Sequence, residues 1–182
     1  WVGENVYSVF QIGTPVQQIS EPKQGMSTCD NNRFVRIWYE VQYDKFAVPV
    51  FASDKVSKTA KWYPYNNGGE YRRWYGDNAD VVNWGNDGQE IKTWGKAAIR
   101  NNNFYYQEGI TWTAISSGNI GVRAFDFGFV FSNAGFCIFG NESKKYILPL
   151  LNSKVGMHLL RVLSPTMNYN VGDIARIPII TC

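Results

Sequence analysis

The apolar residues of this chain change their repeat once, and that change limits what it can fold into. Up to Gly135 they fall in short, roughly alternating runs bounded by turn formers, as in Val35-Arg36-Ile37-Trp38-Tyr39-Glu40-Val41, Val81-Val82-Asn83-Trp84, Gly109-Ile110-Thr111-Trp112-Thr113 and Ala124 to Phe131. Beyond that point they recur at helical spacing: Tyr146, Ile147, Leu150 and Leu151, then Val155, Leu159, Leu160 and Leu163. Asn141 and Ser153 are placed to cap helices that run to Leu151 and Leu163. Pro149 should kink or shorten the first helix, and Ser164-Pro165 should stop the second. The pattern predicts an α+β fold, with a twisted mixed or antiparallel β core, hairpins and a C-terminal pair of helices.

Within that frame, Val6 to Ile19 reads as strand and turn around Gly13-Thr14-Pro15, and Asp44 to Lys58 as a loop with a short helix. Asn67-Gly68 and Asp87-Gly88 are hairpin-turn signals, Ala97 to Phe104 a helical turn, and Ala175 to Ile180 a final strand. No repeat or linker divides the chain, so residues 1–182 are expected to form one domain, with residues 1–20 a connector. The opening on Trp1 without Met, and the close on Ile-Ile-Thr-Cys, read as a piece of a longer protein.

With 45% hydrophobic and 18% charged residues, the chain can bury an ample core and does not resemble a disordered one. A net charge of +3 is too small for a histone-like nucleic-acid binder and has the wrong sign for an acidic DNA mimic. The three cysteines, Cys29, Cys137 and Cys182, are far apart and form neither a disulfide framework nor a zinc spacing, as suits a reducing cytoplasm. No secretion signal or membrane-length apolar run occurs, and the sequon at Asn141-Glu142-Ser143 is at chance frequency.

Catalytic patterns are missing. His158, the single histidine, sits mid-helix beside Met157 and Leu159 without a partner His or Cys. Gly88 to Lys96 has six residues between its glycines where a phosphate loop needs four, and Ala97 where Ser or Thr should bind magnesium. No catalytic or metal-binding residue is assigned.

The informative tract is Lys61 to Gly76. Lys55, Lys58, Lys61, Arg72 and Arg73 face only Asp54 and Glu70 between residues 54 and 75, which concentrates about the whole net charge there. Arginine forks grip phosphates or guanine edges, and interleaved Trp and Tyr stack on bases or wedge between them. An aromatic hairpin with solvated arginines is the competing reading of the same residues.

Asn66-Asn67-Gly68-Gly69-Glu70-Tyr71-Arg72-Arg73-Trp74-Tyr75-Gly76, followed by Val82-Asn83-Trp84 and Asp87-Gly88, resembles the PglX-type adenine methyltransferases of BREX phage-resistance systems. Gln24-Gly25-Met26-Ser27-Thr28-Cys29-Asp30-Asn31-Asn32-Arg33-Phe34 is similar to that family's Gly-x-x-Thr-Gly-Asp-Asn-x-Arg-Phe element, with Cys29 in place of its second glycine. Gly109-Ile110-Thr111-Trp112 and Leu151-Asn152-Ser153-Lys154, with the closing Asp173-Ile174 and Ile177-Pro178-Ile179, are similar to elements of type IIG and type I specificity-subunit recognition domains.

The resemblance implies the target-recognition region of such an enzyme: double-stranded DNA as partner, and no catalysis by this segment. The catalytic methyltransferase domain of the parent chain would bind S-adenosylmethionine and hold the flipped adenine, and other defence-system proteins would be further partners. Lys23, Lys61, Arg72 and Arg73 are the first candidates for backbone or base contacts, with Gln24, Asn66, Tyr71, Trp74 and Tyr75 behind them. Arg33 is placed to hold a phosphate or pair with Glu40, and Thr111-Trp112 either reaches DNA or supports the sheet. On composition alone, a carbohydrate-binding module and a protein-assembly module remain alternatives.

Overall fold

A computed structural model describes residues 3–140 and 143–180. Its centre is a five-stranded sheet in the order β2 (Glu21–Lys23), β10 (Gly135–Phe139), β7 (Gly109–Thr113), β8 (Val122–Phe125) and β5 (Trp74–Tyr75). All pairings are antiparallel except that of β5, which runs parallel to β8. A four-stranded sheet, in the order β3 (Val35–Ile37), β6 (Asp80–Asn83), β4 (Trp62–Asn66) and β9 (Val130–Phe131), packs on one face of it. The helices α5 (Leu148–Asn152), α6 (Lys154–Leu163) and α7 (Val171–Ala175) pack on the other. A two-stranded ribbon, β1 (Thr14–Pro15) with β11 (Pro178–Ile179), ties the two ends of the described chain together.

The period of two along the central strands produces two cores. Ile110, Trp112, Val122, Phe136 and Ile138 meet Leu151, Met157, Leu160 and Ile174 of the helices. Cys137, Phe139 and Phe125, on the opposite face, meet Tyr63, Tyr65, Val82 and Phe131. Because both faces are covered, neighbouring residues on one strand are both buried. Where the chain leaves β2 it runs beside the end of β9, and Gly25 permits that approach: a Cβ there would run into the Phe131 carbonyl.

The α+β architecture and the C-terminal helices agree with the sequence pattern. Ser153 caps α6 by accepting from the Gly156 amide at 3.0 Å, and α6 ends at Leu163 as expected. Pro149 lies in the first turn of α5, where its missing N–H costs nothing, after a π turn over Ser143–Ile147. The Asn141 cap falls outside the described residues.

Four local expectations are corrected. The segment expected as strand and turn folds as α1 (Glu4–Ile12), β1 and α2 (Val16–Ile19); α1 buries no residue, so core packing imposed no helical stripe on its sequence. Asp87-Gly88 does not turn a hairpin but, with Asn86, forms a left-handed turn (φ 50° to 70°) inside α4 (Gly85–Trp94). Asn67-Gly68 closes no hairpin either, because β4 and β5 belong to different sheets. Ala175 ends α7, so the last strand shortens to Pro178–Ile179.

Candidate nucleic-acid interface

The segment between β4 and β5 crosses from one sheet to the edge of the other. It needs backbone conformations that L-residues avoid: φ is 84° at Gly68, 109° at Gly69, 74° at Trp74, 103° at Gly76 and 64° at Asp77. Such a path persists only where surrounding contacts determine it. Here they come from both sheets, chiefly β7 and β8 but also β6. Thr113 Oγ1 donates to the Gly69 carbonyl at 3.0 Å, and Asn67 Nδ2 donates to Asp80 Oδ2 at 2.9 Å. Gly121 allows the Arg72 backbone to lie directly on the sheet, since a Cβ there would strike the Arg72 carbonyl.

The main anchor is Arg123 on β8, a cation with 2% exposure. Its Nη2 donates to the Gly68 carbonyl at 3.0 Å and its Nη1 to the Glu70 carbonyl at 3.2 Å. Asp77 Oδ2 stands 3.5 Å from Nη1, an ion pair without hydrogen-bond geometry. Burial lowers the guanidinium from its ordinary value, the Asp77 carboxylate works against that, and Arg72 nearby adds to the lowering. One buried fork thus holds both ends of the 68–77 loop, and the planar guanidinium suits that two-carbonyl grip.

What the anchored loop displays is basic and aromatic. Tyr71, Trp74 and Tyr75 are 52%, 53% and 60% exposed, and Arg72 and Arg73 beside them are exposed. The Arg73 guanidinium lies 5.5 Å from the Tyr71 ring centroid, a stacked arrangement that keeps the charge at the surface. Large aromatics left together in solvent, on a loop whose root is buried, mark an interaction surface.

The other sequence candidates separate into distinct places. Arg33 and Lys61 line one cleft of about 670 Å³ with Asn83, Gln89, Glu90 and Trp94. Arg33 lies over Phe34 and Trp94 and 4.0 Å from Glu90; its expected partner Glu40 instead accepts from the Ile37 amide. Lys23 and Gln24 lie at the β2 edge, opposite the β5 edge, where Lys23 pairs with Glu21 at 2.6 Å and covers Phe104.

Asn66 and Thr111 are corrected as surface candidates, and Trp112 takes the second of its two readings, support of the sheet: all three are buried. Asn66 Nδ2 donates to Cys137 Sγ at 3.8 Å, Thr111 Oγ1 to the Phe136 carbonyl, and Trp112 Nε1 to the Tyr169 carbonyl. Arg123 was missed. Its signal was a lone charge between Val122 and Ala124 in an apolar run.

The fold and this loop define an α+β protein segment that presents an anchored basic-aromatic surface at a sheet edge. The chain is 34% identical over 189 aligned positions, 98% of its length, to an adenine-specific methyltransferase PglX of Lacticaseibacillus casei (strain Zhang). It is 36% identical over 152 positions, 81% of its length, to an adenine-specific methyltransferase BrxX of Escherichia coli O9:H4 (strain HS). Over this segment the chain is thus similar, at 34–36% identity, to part of each of these two adenine-specific methyltransferases. It spans 16% and 12% of the lengths of those two relatives. No protein-family model matches it. Among the described residues no helix is long and apolar enough to cross a membrane.

Proposed function

We propose that these 182 residues act as one target-recognition unit that reads double-stranded DNA for an adenine N6 methyltransferase of phage defence, in the cytoplasm. The observation that carries this reading is the 68–77 loop, a basic-aromatic display fixed from beneath by Arg123. Arg72 and Arg73 are the phosphate or base-edge contacts, and Tyr71, Trp74 and Tyr75 the stacking or wedging groups. A preorganised loop loses little conformational freedom on binding, which favours affinity without a large area. Methyl transfer, with S-adenosylmethionine as donor, belongs to the catalytic part of the parent chain, which would complete the clamp around the duplex.

The test is binding to a mixed-sequence DNA duplex by fluorescence anisotropy at two salt concentrations. Binding that weakens with salt supports the reading, because phosphate contacts release counterions. Salt-insensitive binding to a polysaccharide, with none to DNA, would instead favour a carbohydrate-binding module.

A further inference from the structure

Arg73 does not serve the aromatic loop alone. It also lines a pocket of about 400 Å³ against the first turns of α6, together with Lys154, His158 and Arg161. These cationic and donor side chains come from segments some eighty residues apart in sequence, and no carboxylate lines the pocket. Two other clefts differ: Glu90 shares the one with Arg33 and Lys61, and Glu40 and Asp80 share the one with Arg36, while a neighbouring cleft without carboxylates holds Arg161 as its single cation. Among the described residues, neither Arg73, Lys154 nor Arg161 forms an ion pair.

The placement runs against ordinary helix electrostatics. The first turn of α6 has no acidic residue, and Lys154 adds positive charge to the positive end of the helix. The polar residues of the pocket floor are already engaged: Asn152 exchanges two hydrogen bonds with Val122, and Ser153 caps α6. Asn119 accepts from Arg161 Nη2 at 3.0 Å and so orients that guanidinium. A rigid floor under unneutralised cations is suited to an anion supplied from outside.

We propose that this pocket is a phosphate-gripping subsite, in which Arg73, Lys154, His158 and Arg161 hold a backbone phosphate of the same duplex that the 71–75 loop contacts. The proposal rests on the DNA-recognition reading. It extends the DNA path from the β5 edge onto α6, with Arg73 at the junction.

The test compares the 182-residue chain with its Lys154→Ala/Arg161→Ala variant on a mixed-sequence duplex, by anisotropy across a salt series. Both residues are exposed, so the variant should keep the parent's thermal unfolding profile. Loss of two phosphate contacts predicts a fall of tenfold or more in affinity at low salt, on the order of one decade, and a salt slope shallower by about 2. A charge-matched control, Lys45→Ala/Lys96→Ala, lies outside the pocket and should lose much less. Equal losses in the two variants, or an unchanged slope in the first, would overturn the subsite while leaving DNA recognition intact. No binding by the parent chain at any salt would remove the DNA reading, and the subsite with it.

Discussion

Arg123 and Asp77 face each other at 3.5 Å across the root of the exposed loop, the arginine almost wholly buried and the aspartate in a left-handed conformation at φ 64°. Burying a guanidinium costs several kcal/mol of hydration, which a single imperfect ion pair does not offset. The two carbonyls of Gly68 and Glu70 make up part of the difference. The arrangement therefore reads as positional: it fixes where Arg72, Arg73 and Trp74 stand.

Removing that anchor should be costly. Arg123→Met leaves Asp77 without its countercharge and the Gly68 and Glu70 carbonyls without their donor, with an expected loss of about 3–5 kcal/mol. Arg123→Lys keeps the charge but loses the fork, with an expected loss of about 1–3 kcal/mol. Urea unfolding of both variants measures this. An Arg123→Met variant as stable as the parent would mean that the loop is held by other contacts.

Trp74 combines φ 74° with 53% exposure, so its conformation is strained and its ring is mostly in water. Trp74→Gly should leave stability unchanged or raise it by up to about 1 kcal/mol, since glycine accepts the backbone angle freely. The same change should weaken DNA binding, because the exposed ring is lost. Stability and binding moving in opposite directions would identify Trp74 as kept for an interface. A large loss of stability would identify it as a packing residue.

Alkaline pH should weaken the fold through Cys137. Burial pushes its thiol up to about 12 from an ordinary value of 9.0, despite the Asn66 amide and the nearby Arg123, both of which lower it. The folded chain then holds a proton that the unfolded chain releases. This stabilisation is fully present below about pH 9 and falls by about 1.4 kcal/mol per pH unit as the pH rises towards the folded value. Tyr65, Tyr105 and Tyr106, also raised by burial, add to the decline above their ordinary value of 10.0. Urea midpoints measured between about pH 8 and 10 should show the fall, and Cys137→Ala should flatten its first part. A flat profile in the parent would contradict the burial of that thiol.

Much of this architecture was legible in the residues, and the misses have physical causes. Ser153 announced α6 because a cap followed by a helical apolar stripe has few other outcomes. The Tyr71 to Tyr75 block was legible as a surface because arginines interleaved with aromatics do not bury well. Burial of Trp112 against the sheet was one of its two readings and is what the fold shows; that Thr111 beside it is buried too was not legible, because the central sheet is covered on both faces and alternation then exposes neither side. Arg123 was hidden by the same two-sided burial. Cys29, which stands where the resembled element has glycine, adopts φ 55°, a left-handed conformation that glycine takes more freely. The turn at Asn86 to Gly88 was recognisable as left-handed chemistry, but the sequence around it did not show that a helix would follow immediately.

The central claim is that the loop held by Arg123 meets DNA through its arginines. The most direct test is anisotropy of a labelled mixed-sequence duplex with the parent chain and with Arg72→Ala/Arg73→Ala, each across a salt series. Binding by the parent should weaken steeply with salt, and the variant should bind about tenfold or more weakly, with a slope shallower by up to about 2. Identical affinity and slope for the two proteins would contradict it.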